Sequence, residues 1–279
     1  MRVIYKEPKT LDEQVQYLHD NKNVDFVLID EVTAKKILYE SNYINVITPF
    51  KHRFARTDKT GAVIRDSNHR HQYDKITDFS EYNQAYHVER DKYPTIFANI
   101  QEFESKMNAI VSYEIIHFYG IVSYSKFLDF VDDLKKNLEN LSNNGDYNPE
   151  ACEKMSIALD SFLEMMSKYD DIYIFMDRLG LSDLITVFRC CDKSLRTKIY
   201  KSLKEHGGVL GYETFESFDE FLSRIPGIRN YVCHFNSLEV LVMYLHIRNK
   251  ELRPSSDRKK YQKIIKKLSI PKNNEGSRP

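Results

Sequence analysis

Apolar residues along this chain recur mostly at three- and four-residue intervals, the spacing of one face of an α-helix, and strict alternation of the β type is scarce. Leu11, Val15 and Leu18 follow Thr10, with Glu13 three residues after it, so a helix with a capping box is predicted to start there. A short segment at 26–29 and a helix near 34–40 come next. Residues 42–54, NYINVITPFKHRF, mix aromatic and β-branched positions around Pro49 and are open to reading as a strand, a hairpin arm or a packed aromatic segment. Residues 57–76 lack periodicity and are rich in Gly, Asp, Asn and Ser, which predicts an exposed loop.

Beyond that loop the helical pattern returns. Ile100, Phe103, Met107, Ile110, Val111 and Ile115 predict a long helix over 97–119, stopped by Gly120, and a second over 123–141 ends at the turn SNNGDYNP. Further helices are expected at about 151–168, 171–178, 181–190, 193–205 and 214–224, with Gly207 and Gly208 marking a gap. Pro226 suits a first helical turn, and Leu238, Leu241, Val242 and Leu245 extend an apolar face, which predicts one helix from Pro226 to about Asn249. A last helix over 258–268 sets Tyr261, Ile264, Ile265 and Leu268 on one side, and the polar tail NNEGSRP is expected to fray. The fold class read from this pattern is all-α, with little or no β structure. Its expected parts are an N-terminal helical and aromatic region over 1–95, a helical domain over 96–250 and a basic C-terminal helix and tail over 251–279.

Charge changes this picture only locally. Across 279 residues, 41 Lys and Arg balance 41 Asp and Glu, so net charge points to no partner. From Arg248 to Lys272, however, ten Lys or Arg stand against Glu251 and Asp257, which makes the end of the chain a basic patch on an acidic body. Arg253, Arg258, Lys259, Lys260, Lys263, Lys266 and Lys267 would suit a phosphate backbone, or would form a solvated helix face. His69, Arg70 and His71 could extend such a surface or lie in a mobile loop. The 19 Tyr and 16 Phe would serve unpaired bases where exposed, although most must fill a core. Cys152, Cys190, Cys191 and Cys233 show no CxxC spacing and no zinc-type cluster, so reduced thiols and no metal or other cofactor are expected. No apolar run has the roughly 18 residues of a membrane span, and the first residues lack a signal-peptide core; the expected location is the cytoplasm.

The chemistry concentrates in Arg229–His234, RNYVCH. A histidine can move a proton near neutral pH, and a guanidinium can hold a phosphate and balance the charge that grows on it, so this arrangement suits RNA backbone cleavage without a metal. On a helix Asn230 and His234 share a face, whereas Arg229 lies about 140° round from His234. The bland reading is that Arg229 pairs with a carboxylate and His234 packs in a core. Arg65 and His71 form a comparable pair, but within the loop.

The order of landmarks resembles the abortive-infection family of AbiD and AbiF type, phage-resistance proteins of bacteria that carry a HEPN ribonuclease domain. KTLDEQVQYL followed by SNYINVITPFK is similar to the family's opening, FANIQEFESKMNAIVSYEI to its glutamate-bearing helix, MDRLGLSDLITVFRCCDKSLRTKIY to its later LTFG…L…L stretch, and RNYVCHFNSL to the HEPN signature. NYIN stands where a tyrosine pair is usual, and LGLSD where Thr-Phe-Gly is commoner. The resemblance, closest to the AbiF type, implies a HEPN helical bundle with an N-terminal helical extension. It also implies a homodimer whose motifs face one another and a metal-independent endoribonuclease toxin acting on RNA, restrained by a small non-coding RNA antitoxin; no DNA or membrane partner is expected. Arg229, Asn230 and His234 would be catalytic. Glu104 would pair with Arg229 or stand on a solvated face. The alternative is a non-catalytic HEPN module that binds RNA or a protein.

Overall fold

Thr10 opens the first helix with both halves of the expected capping box: its hydroxyl accepts from the Glu13 amide, and the Glu13 carboxylate accepts from the Thr10 amide. The computed structural model describes residues 8–59, 63–67, 70–145, 147–166, 168–169, 171–206, 211–246 and 251–271. In chain order the elements are α1 (Leu11–Lys22), β1 (Val24–Asp25), α2 (Glu31–Ser41), α3 (Tyr43–Val46), α4 (Lys51–Phe54), β2 (Thr77–Asp78), α5 (Phe79–Arg90) and α6 (Tyr93–Tyr119). They continue as α7 (Tyr124–Asn143), α8 (Pro149–Met166), α9 (Ile172–Asp177), α10 (Leu181–Cys190), α11 (Lys193–Glu205), α12 (Phe215–Leu222), α13 (Ile225–Cys233), α14 (Leu238–Met243), β3 (Tyr244–His246), β4 (Glu251–Leu252) and α15 (Ser255–Leu268). Helix accounts for 71% of the described residues and strand for 4%, so the fold is mainly α as expected.

The chain forms two compact units, Met1–Thr95 with Asn230–Lys263, and Ile96–Arg229 with Ile264–Pro279. In the first, Val15 and Leu18 of α1, Ala34 and Leu38 of α2, Val46, Ile47, Phe50, Phe79 and Tyr82 make a buried core. The segment 42–54, left open between strand and aromatic packing, is two short helical turns: the Asn42 carboxamide accepts from the Ile44 amide to start α3. Its aromatics pack as the third alternative has it, with the Phe54 and Tyr82 rings 4.3 Å apart. β1 and β2 form a short parallel pair, Val24 against Thr77.

In the second unit α7 packs along α8, and α10 lies against both. Phe103 of α6 meets Phe218 and Phe221 of α12 edge-on, at 6.4 and 5.0 Å, and Phe127 of α7 meets Phe175 of α9 at 5.3 Å. Each such fully buried ring contributes about 1.5–3 kcal/mol of transfer free energy. Gly120 ends α6 at φ 57°, a left-handed position where glycine escapes the Cβ clash, and the Ile121 amide closes the turn on the Ile116 carbonyl. The Asn99 side chain donates to the Leu268 and Ile270 carbonyls, anchoring the end of α15.

One expectation fails and another holds only in part. The single helix from Pro226 to Asn249 is broken after Cys233, and β3 pairs antiparallel with β4, Tyr244 opposite Leu252. Backbone groups freed at the break are satisfied by side chains far away in sequence, described below. The described residues of 57–76 form no helix, but antiparallel bridges join Thr57 to Val63 and Arg65 to His71, and His71 is half-buried rather than exposed. Burial and the nearby Arg65 push the His71 imidazole down to about 3. Expectations placed on His69, Gly207, Gly208, Arg248, Asn249, Lys272, the side chain of Leu245 and the tail from Asn273 lie outside the described residues.

Candidate active site

The motif helix α13 follows α12, which starts with a reciprocal cap between Thr214 and Ser217. Ile225, Ile228 and Val232 bury one stripe of α13 and fix its rotation. Its C-terminus is a Schellman motif: the Asn236 amide donates to the Tyr231 carbonyl at 2.8 Å and the Phe235 amide to Val232 at 3.2 Å. His234 is therefore the C-cap, its amide still bonded to the Asn230 carbonyl at 3.1 Å. Asn230 and His234 are exposed rather than packed in a core. Phe235 takes the left-handed C′ position at φ 52°, where a residue with a Cβ pays on the order of 1 kcal/mol.

Arg229, in the second unit, meets Glu104 of α6: the guanidinium Nε donates to Glu104 Oε2 at 3.2 Å. The other oxygen, Oε1, accepts from the Leu181 amide at 3.2 Å. Leu181 is the first residue of α10, whose N-cap is Gly180 and makes no side-chain cap bond. Glu104 thus supplies the missing cap from another helix, and its negative charge suits the positive end of α10. The arginine side chain remains 44% exposed, so the pair orients it while adding no more than about 1 kcal/mol.

In the first unit, the turn after His234 is clamped by residues that sequence reasoning missed. The Tyr93 hydroxyl donates to the Asn236 carbonyl at 2.6 Å and accepts from the Leu238 amide at 3.3 Å. Glu89 Oε1 accepts from the Ser237 hydroxyl at 3.1 Å and the Glu239 amide at 2.7 Å, capping α14, whose own N-cap Ser237 provides no such bond. Burial pushes the Glu89 carboxyl above its ordinary value, against these hydrogen bonds, which lower it. Glu239 in turn accepts from Arg53 at 2.7 Å and lies 3.0 Å from His52 Nε2. No spacing rule reveals bonds across about 150 residues; the one local signal was a polar Asn236–Ser237 pair inside an otherwise apolar run.

Residues 36–238 match the family model described as Abi-like protein. The chain belongs to the Abi-like protein family. That membership gives it a part in abortive infection, a defence against phage. No curated protein and no solved structure matches it. Glu89, Tyr93, Glu104, Arg229, Asn230 and His234 all fall inside the Abi-like match, and α15 falls beyond it.

The seven basic residues of the Abi-like protein from Arg253 to Lys267 separate into two groups. Arg253 is taken up by the fold: it donates to the Leu241 carbonyl at 2.8 Å, pairs with Asp257 at 3.1 Å and lies over the Tyr261 ring. Arg258 reaches the Met243 sulfur, and Lys267 donates to the Gly211 carbonyl over the Tyr212 ring. Lys259, Lys260, Lys263 and Lys266 are exposed. Cys152, Cys190, Cys191 and Cys233 are free thiols, and burial pushes Cys190 up to about 12. Among the described residues no group of three or more His, Cys, Asp or Glu is arranged to hold a metal, and no helix is long and apolar enough to cross a membrane.

Proposed function

We propose that this Abi-like protein is a HEPN-type, metal-independent endoribonuclease toxin, closest to the AbiF kind, that works as a homodimer on RNA. In this reading a small non-coding RNA restrains it until infection. The observation that carries the reading is the exposure of Asn230 and His234 on the helix whose Arg229 is steered by Glu104. A core role would have sealed the imidazole, whereas His234 is exposed; the Arg229–Glu104 pair fits both readings.

The chemistry is transesterification. His234 takes the proton of a 2'-hydroxyl, the oxygen forms a bond to the adjacent phosphorus, and the bond to the 5'-oxygen breaks as that oxygen receives a proton from an imidazolium. A 2',3'-cyclic phosphate and a 5'-hydroxyl remain. Arg229 neutralises the added negative charge, and Asn230 orients the phosphate or the histidine. Arg229 lies about 140° from His234 around the helix, so a two-fold pairing of copies lets one copy's arginine serve the other's histidine.

The test is incubation of the purified protein with labelled RNA in the presence of a chelator. Fragments with cyclic-phosphate ends, absent with Arg229→Ala and with His234→Ala, support the reading. RNA left intact by the wild-type protein, or cut equally by all three, refutes it and favours a binding module.

A further inference from the structure

We propose that Phe235 is a stacking platform for an unpaired nucleobase beside the phosphate handled at His234, so that the substrate is single-stranded RNA. The proposal rests on the ribonuclease reading above and deepens it.

Three observations converge on this ring. Phe235 occupies φ 52°, the C′ position of a Schellman motif, where glycine fits without strain and a β-carbon does not. The usual return for keeping a large apolar side chain at a strained position is burial, yet this one is 66% exposed. It also directly follows His234 in sequence, at the turn held by Tyr93 and Glu89. Strain without burial beside a candidate catalytic group is the pattern of a residue kept for what it touches outside the protein.

The surroundings of the ring fit a base. The Arg90 guanidinium lies 5.7 Å from the Phe235 centroid, 5.0 Å from Tyr93 and 5.1 Å from Tyr86, packed among aromatic rings. Its Nε is buried with no hydrogen-bond partner. The Tyr93 ring sits 6.4 Å from Phe235 at 31°. A cation and a tilted ring thus brace Phe235 from the protein side, so its exposed surface is presented in a fixed pose. A base inside a duplex is already stacked on both faces, whereas an unpaired base has a face open to such a surface. The Arg90 charge beside it favours a polyanionic strand over an apolar peptide.

The test uses the full chain carrying His234→Ala, so that RNA survives, and a labelled unstructured RNA oligonucleotide followed by fluorescence anisotropy. Phe235→Gly should bind about tenfold more weakly while melting at the same temperature or higher, because glycine relieves the strain. Phe235→Trp should bind like the parent. When single bases of the oligonucleotide are removed in turn, the gap between the parent and Phe235→Gly should close at one position. Unchanged affinity for Phe235→Gly overturns the platform, and so does a gap that persists at every abasic position. If wild-type protein still cuts RNA in an Arg229-dependent way, those results leave the nuclease reading standing. A parent that binds no RNA, with a wild type that cuts none, removes both.

Discussion

Glu104 ties Arg229 to the start of α10: one carboxylate oxygen accepts from the guanidinium Nε and the other from the Leu181 amide, each at 3.2 Å. The two bonds separate by substitution. Glu104→Ala loses both and should lower stability by about 1 kcal/mol, the size of a lost cap, and slow RNA cleavage roughly tenfold through a misplaced arginine. Glu104→Gln keeps an acceptor for one partner and should melt closer to wild type while still cutting several-fold more slowly. Thermal melts and initial rates check this; equal rates for all three proteins would detach Glu104 from the site.

Arg229→Ala and His234→Ala should each reduce RNA cleavage by about 10²–10⁴-fold with little change in melting temperature, because both side chains reach solvent. Arg229→Lys should recover little, since an ammonium lacks the planar fork. In cells, induced wild type should arrest growth and the two alanine variants should not. Equal toxicity of the three would place the effect elsewhere.

Glu89 gives a pH signature. Its folded-state carboxyl is raised above the ordinary 4.5, chiefly by burial, so the folded protein holds that proton to higher pH than the unfolded chain. The stability it contributes is complete below 4.5 and is lost as pH rises through the folded value. Glu89→Gln keeps a carbonyl acceptor for Ser237 and Glu239 without the charge. Its melting temperature relative to wild type should therefore climb as pH rises from that point and then level off. A difference that does not vary with pH contradicts the assignment.

The basic segment should divide as its contacts do. Replacing Lys259, Lys263 and Lys266 together by Ala should lower the salt dependence of RNA binding by about 2 in log–log slope, near 0.7 per lost single-strand phosphate contact, with stability unchanged. Arg253→Ala should instead cost about 1–3 kcal/mol of stability, because it removes the bond to Leu241, the pair with Asp257 and the contact with Tyr261. An unaltered slope in the lysine variant would make those residues a solvated face.

What the sequence revealed and what it hid divide by range. The Thr10 and Glu13 cap, the apolar row from Ile100 to Ile115 and the buried side of α15 are local patterns, and the fold follows them. The break after Cys233 was hidden because its left-handed residue is Phe235, not glycine, and because the carboxylate that caps the next helix, Glu89, lies about 150 residues away. The Glu104 and Arg229 contact was one of two readings; only the packing of α6 with its neighbours decided it. Residues 42–54 stayed open since four-residue helical turns are too short to show a period.

If Arg229 of one copy and His234 of another act on one RNA phosphodiester, two silent variants must restore each other when mixed. Arg229→Ala and His234→Ala proteins, each inactive alone, should regain about a quarter of wild-type cleavage when equilibrated one to one. Half of the dimers are then mixed, and each holds one intact site of two. A mixture that stays silent, although the variants exchange subunits and the wild type cuts RNA to cyclic phosphates, would contradict such a shared site.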